Sequence, residues 1–284
     1  MTAAGWMAAS VVQSRRVSTP LFTAAAAQVL RRVPTGCGEF RTANMLYRRI
    51  IYEGGPVRRL EAKLWGARLW LDLADWTQAS AYLLGRYDDA TVEFVCAHLP
   101  DDGCFVDGGG HVGLIGSQVA IRKPRARIYA FEPHPREYRA LTRNIELNGF
   151  AGYTAVNMGL SDAEESLPFD PVSHSLEDRS GDHEISIDVT TLDRFMAREG
   201  IARIDVMKLD IQGHEPAALR GASAALKQRR IGAVAMERVM GDVDAAEAYL
   251  LEHGFHTVPW PDPRVSFIRP LRRYVTEDAG YVLA

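Results

Sequence analysis

The segment Asp107-Gly108-Gly109-Gly110-His111-Val112-Gly113 follows directly on the apolar run Cys104-Phe105-Val106. Glycines after a strand let the backbone turn tightly and come close to a ligand held at the start of the next helix. Two parses are available. Gly108, Gly110 and Gly113 give G-x-G-x-x-G, the loop that holds the pyrophosphate of NAD in an oxidoreductase. Asp107, Gly109 and Gly113 give D-x-G-x-x-x-G, the loop of enzymes that use S-adenosyl-L-methionine (SAM). A carboxylate at the strand's end repels a pyrophosphate and attracts the ammonium of a methionine tail, so Asp107 favours SAM.

A second acid lies in Ala130-Phe131-Glu132-Pro133-His134-Pro135, at the end of the next apolar run. Glu132 there can accept hydrogen bonds from both ribose hydroxyls of either cofactor. Pro133 and Pro135 stiffen the turn after it, as an adenosine pocket needs. A third polar cluster is Lys208-Leu209-Asp210-Ile211-Gln212-Gly213-His214-Glu215. Lys208 and Asp210 point to one side of a strand buried on both faces, so they belong at its carboxyl end in the ligand crevice. Glu237 follows Val234-Ala235-Met236 and should end the neighbouring strand beside Asp210. Asp210, His214, Glu237 and Lys208 are the candidate catalytic groups, positioned to orient a hydroxyl and take its proton. Two carboxylates are thin for a divalent ion, so the acid/base role is preferred and no metal ligand is assigned, with a metal kept open as the alternative.

Short apolar runs alternating with helical stretches must carry these residues, which is the signature of an α/β fold with a parallel sheet. Strands are expected at Cys104 to Val106, Arg127 to Phe131, Tyr153 to Met158, Ile204 to Ile211 and Ile231 to Met236, with closing strands at Phe255 to Val258 and Val265 to Ile268. Helices are expected at Thr91 to Leu99, Pro135 to Asn148, Glu215 to Arg229 and Ala245 to His253, and another starts at Thr190 or Thr191. Leu69, Leu71 and Leu73 alternate with Trp70, Asp72 and Ala74 as half of a hairpin, while Trp70, Trp76, Tyr82 and Tyr87 read as packing, with a few of them roofing the substrate cleft as the alternative. Ser161 to Asp188 is long and polar, a hairpin or lid.

The 284 residues, 47% hydrophobic and 24% charged, exclude disorder and a disulfide-stapled miniprotein. Three cysteines without a C-x-x-C pair point to a reducing, cytoplasmic setting. Residues 1–70 hold 11 Lys+Arg against 3 Asp+Glu, and the remainder 22 against 33. An acidic motif-bearing part argues against nucleic acid as partner. The leader's apolar stretch, Leu21 to Leu30, is too short to span a membrane and has the wrong flanks for export. It reads as an ordinary surface helix, with contact to a membrane surface or a partner as the alternative.

These motifs resemble the FkbM family of SAM-dependent methyltransferases. The likeness runs from about Leu69 to Phe255 and rests on Phe105 to Gly113, Phe131-Glu132-Pro133, Thr190 to Asp193, and Met207 to Glu215 followed by Leu219-Arg220-Gly221-Ala222. The resemblance implies a Rossmann-like class I methyltransferase fold, a seven-stranded, mostly parallel sheet with helices on both faces and one antiparallel edge strand. It also implies transfer of a methyl group to a hydroxyl of a small-molecule natural product or sugar. By position, Asp107 and Gly109 meet the methionine part of SAM, Glu132 the ribose, and Ser161 and Asp162 lie near the adenine, with Gly108, Gly110, His111, Gly113 and Pro133 also in the cofactor site. His111 and Gln212 stand where the family usually has Asn and Glu, and Gln212 cannot act as a base. Residues 1–64 are a basic, helical extension through which the protein could self-associate, and residues 65–284 the methyltransferase domain with an N-terminal hairpin. A silent SAM-binding scaffold is the further alternative.

Overall fold

In the computed structural model, residues 19–33, 38–48, 59–170, 185–236, 243–258 and 271–276 are described. The chain begins with helices α1 (Thr19–Leu30) and α2 (Glu39–Leu46), the hairpin β1 (Arg59–Leu64) and β2 (Ala67–Asp72), and helices α3 (Trp76–Leu84) and α4 (Asp89–His98). The motif-bearing part then runs β3 (Cys104–Gly108), α5 (Leu114–Arg122), β4 (Arg127–Phe131), α6 (Pro135–Asn148) and β5 (Tyr153–Val156). Next come β6 (Gly159–Leu160), β7 (Glu165–Phe169), β8 (Ile185–Thr190), α7 (Leu192–Arg198) and β9 (Ile204–Leu209). The last elements are α8 (Glu215–Arg220), α9 (Ser223–Lys227), β10 (Ile231–Met236), α10 (Val243–Glu252), β11 (Phe255–Val258) and β12 (Arg272–Thr276).

Seven strands form the main sheet in the order β11-β12-β10-β9-β3-β4-β5. β3 lies between β4 and β9, and every pairing from β10 to β5 is parallel. Alternate residues feed opposite faces, as the two-residue period of a strand requires. Cys104 and Val106 join the core beneath α7, α8 and α10, while Phe105 joins the core beneath α4 and α5. Both faces are therefore covered, the condition for a parallel sheet. β12 is antiparallel to β10 and to β11, so the antiparallel strand is inserted one place inside the edge and the expectation of an antiparallel edge strand is corrected. β6, β8 and β7 make a separate three-stranded sheet, the hairpin expected within Ser161 to Asp188.

Local chemistry explains where elements start and stop. The Asp75 side chain accepts from the Gln78 backbone N–H and Gly85 ends the helix at φ 67, so α3 has a capped start and a left-handed stop. His134 caps α6, Pro135 occupies its first turn, and Gly149 ends it at φ 62. The single helix expected from Glu215 to Arg229 breaks into α8 and α9 at Gly221, where a Cβ would sit 1.9 Å from the Ser161 carbonyl oxygen. The turn between β1 and β2 puts both Trp65 and Gly66 at positive φ, 55 and 91, as a two-residue hairpin demands. Tryptophan is a costly choice there, and its Nε1 is anchored to the Gly85 carbonyl at 2.9 Å.

The hairpin begins at Arg59 and is completed by β2, so it straddles the expected boundary at Leu64. Its outer edge is closed by α6. Asn148 Oδ1 accepts from Arg68 N at 2.8 Å and its Nδ2 donates to Arg68 O at 2.7 Å. One turn earlier, Asn144 accepts from Trp70 N at 2.6 Å and donates to Trp70 O at 3.3 Å and to Val112 O at 2.9 Å. Two amides at i and i+4 thus replace a neighbouring strand and blunt an exposed edge. The apolar stretch of the leader forms α1, which buries Thr23, Ala27 and Leu30 beside α3. The strand expected at Val265 to Ile268 lies outside the described residues.

Candidate functional site

The carboxyl ends of β3, β4 and β9 open into one cavity of about 370 Å³, within the range of small-molecule sites. β3 and β4 are sequential neighbours, while β9 reaches β3 from the other half of the sheet, so the crevice lies where the strand order reverses.

The glycine loop forms its floor. Gly109 has φ 79, and a Cβ on it would lie 2.0 Å from the Asp210 carbonyl oxygen; at Gly110 a Cβ would meet that of Ala130 at 2.8 Å. Only glycine gives a backbone surface this close to the neighbouring strands. The N–H groups of Gly109 and Gly110 both donate to Phe131 O, at 3.0 and 2.9 Å, which ties the loop to β4. Gly113, at φ 86, starts α5.

Glu132 is buried at the end of β4. Its Oε2 accepts from His111 N at 2.8 Å and its Oε1 from His134 N at 2.9 Å. Each oxygen retains capacity for a further donor such as a ribose hydroxyl. Burial pushes its carboxyl up to about 7, against the pull of those two backbone donors.

At the end of β9, Lys208 Nζ donates to Asp107 Oδ1 at 2.9 Å, to Gly108 O at 3.1 Å and to Gly109 O at 3.0 Å. Asp107, expected to stand open to a ligand ammonium, is thus already paired. Asp210 Oδ2 lies 3.9 Å from the same ammonium, and Asp210 Oδ1 accepts from Gln212 Nε2 at 3.3 Å. Both carboxylates line the cavity, but the Asp210 side chain is 29% exposed and that of Asp107 only 1%. Gln212 and Gly213 take positive φ, 56 and 98, to bend the chain into α8. His214 lines the cavity too, with Nε2 3.0 Å from Ser161 Oγ. Glu215 turns back to accept from Ile211 N at 2.9 Å, and burial pushes its carboxyl up to about 7.

Among the described residues, the structure gathers Asp107, Gly109, Gly110, His111, Glu132, Pro133, Lys208, Asp210 and His214 around one space. Gly108 and Gly113 shape the loop without lining that space. Ser161 and Asp162 stand behind it, Ser161 on His214 and Asp162 on Arg220 at 2.8 Å, while Gly159 and Leu160 face the cavity instead. Glu237 lies outside the described residues. No group of three or more His, Cys, Asp or Glu that could hold a metal ion occurs among the described residues.

Sequence reasoning missed several walls. Asp75 and Thr77 come from the start of α3, and Tyr87 from the segment after it. Asp75 followed by a nine-residue stretch and Gly85 was a readable pair of helix caps. Burial holds the Tyr87 phenol well above its ordinary range, reinforced first by Asp210, so it stays a neutral donor. Phe169 and Ile187 reach in from the β7–β8 hairpin and give an apolar wall with Phe131 and Leu160. His111, at φ 49, links these parts: its Nε2 lies 3.8 Å from Asp75 Oδ2 and 3.6 Å from Glu137 Oε2. A backbone floor, a buried ribose acceptor and an apolar wall are an acceptor and contact set that suits SAM, and the residues present fit it.

A model of the methyltransferase FkbM domain matches residues 107–257, more than half of the chain. "Methyltransferase 1" of Beauveria bassiana is 30% identical over 150 residues, 44% of this chain and 60% of that protein. "Hexuronic acid methyltransferase AglP" of Haloferax volcanii is 23% identical over 145 residues, 50% of this chain and 59% of that protein. The chain spans about three-fifths of the length of these curated relatives. Among solved structures, precorrin-6y C5,15-methyltransferase of Geobacter metallireducens gives a TM-score of 0.41 at 14% identity, covering 65% of this chain and 88% of that one. The match begins at Asp107 itself and takes in the loop, Glu132 and the β9 cluster, which sets the dinucleotide parse aside. The chain belongs to the FkbM family of methyltransferases, and its cofactor is S-adenosyl-L-methionine.

Proposed function

We propose that the protein catalyses transfer of a methyl group to a hydroxyl of a small-molecule natural product or sugar. The observation that carries this reading is Asp210, a carboxylate at the end of β9 that lines the cavity and stays partly open beside the closed glycine loop. When bound, SAM supplies an electrophilic methyl on a sulfonium. Gly109 and Gly110 support its methionine end through the backbone, Glu132 accepts from its ribose, and Phe169 and Ile187 exclude water from its apolar face. Asp210 receives the proton of the acceptor hydroxyl, with Gln212 fixing the direction of the carboxylate. Tyr87 donates to acceptor oxygens, and His214, steadied by Ser161, borders the same space. Holding the hydroxyl in line with the methyl supplies most of the acceleration, and the base adds to it.

The test is incubation with SAM and a panel of sugars and hydroxylated metabolites, read by mass spectrometry for the gain of one methylene. Asp210→Asn is expected to lower turnover by roughly 10²- to 10⁴-fold while calorimetry still detects S-adenosylhomocysteine (SAH). Loss of SAH binding in a folded Asp210→Asn protein would instead move Asp210 to the cofactor's side of the cavity.

A further inference from the structure

The end of β9 grips the glycine loop from two sides. From one side the three hydrogen bonds of Lys208 Nζ, to Asp107 Oδ1, Gly108 O and Gly109 O, use all three ammonium protons. From the other, Asp210 N donates to Gly108 O at 3.1 Å, and the Asp210 carbonyl oxygen presses so close to Gly109 that no side chain fits. Lys208 and Asp107 are exposed by only 2% and 1%. Burial works against the Lys208 charge, yet Asp107 and then Asp210 outweigh it and hold the group an ammonium. A carboxylate enclosed with such a partner has its field largely cancelled.

We propose that Lys208 is a positioning residue that sets the curve of the glycine loop and silences the charge of Asp107, so that the loop holds the methionine end of SAM by shape and backbone groups. The inference rests on SAM occupying this cavity. It separates two roles that an acid beside glycines invites one to merge: Asp107 organises the loop, and the ligand's ammonium finds its partners elsewhere.

Calorimetry with SAM and with SAH, beside thermal unfolding of each variant, tests it. Asp107→Asn keeps an oxygen for Lys208, and its SAH affinity is expected to change by less than about threefold, while the unmasked Lys208 ammonium disfavours the positively charged SAM relative to SAH. Lys208→Met is expected to weaken SAH by at least about tenfold. It also unmasks Asp107, and so favours the positively charged SAM over SAH, a preference that Asp107→Asn/Lys208→Met removes. That double variant strands no buried charge, so it remains informative if Lys208→Met does not fold, and it should bind SAH at least about tenfold more weakly than Asp107→Asn alone. A folded Asp107→Asn protein that loses SAH would make the carboxylate the ligand's counter-ion and overturn the proposal. Unaltered SAH affinity in the double variant, or SAM and SAH moving alike in folded Lys208→Met, would overturn it as well. Absence of SAH binding by the unaltered protein would remove the cofactor reading and this inference with it.

Discussion

Glu132 holds a carboxyl pushed up to about 7 by burial while two backbone N–H groups hold it in place. Because that value lies above the unfolded one, the folded protein keeps a proton that the unfolded chain releases, and this group's contribution to stability is lost as pH rises through about 7. Glu215 has the same cause and adds in the same direction. Ribose hydroxyls donate to the ionised form, so cofactor binding has the opposite dependence. SAH affinity is expected to rise as pH increases through about 7, by up to about tenfold per unit below that value. Glu132→Gln should flatten this profile and weaken binding, which titration calorimetry across buffers reads directly. Glu132 was legible in the sequence because an acid at a strand end has few structural uses. The partner of Asp107 was not: Lys208 is 101 residues away in sequence, and only the β3–β9 pairing brings it under the loop. The charge argument that first favoured SAM over a dinucleotide therefore pointed the right way through a carboxylate whose field is already spent.

At the scale of elements, short buried strands could be read because their apolar runs are bounded by turn residues. Ile231 to Met236 is a strand over the expected residues, and Pro135 to Asn148 is the expected helix. Errors fell where tertiary contacts overrule local pattern. The break at Gly221 comes from the Ser161 backbone pressing against it, and α3 lies in a stretch whose aromatic residues read only as packing. The edge seal by Asn144 and Asn148 could not be foreseen, since an asparagine in a helix is ordinarily a solvent-facing residue. Asn144 is fully buried, and Asn144→Leu would leave Trp70 N, Trp70 O and Val112 O without their amide. A cost of about 2–4 kcal/mol is expected, lowering the melting temperature by about 2–4 °C per kcal/mol, as differential scanning calorimetry would measure. Because Val112 belongs to the glycine loop, SAH affinity should fall with it.

Over the whole molecule, the N-terminal helices are part of the packed body. Glu39 of α2 is fully buried and accepts from Arg86 Nη2 at 2.7 Å, and Arg31 after α1 donates to the Tyr82 carbonyl of α3. These contacts brace the segment that carries Asp75, Thr77 and Tyr87 into the cavity. Arg86→Met removes the cation facing the buried Glu39 carboxylate and is expected to cost about 3 kcal/mol in urea unfolding. Removing residues 1–58 should destabilise the protein rather than release an independent domain. No helix of the described residues is long and apolar enough to cross a membrane. The sheet that builds the cofactor floor and the pieces that complete the cavity come from different layers: α3 from one side, the β7–β8 hairpin from another. Evolution could therefore retool which molecules are accepted by rewriting α3 and the segment after it, leaving the floor built at the ends of β3, β4 and β9 untouched.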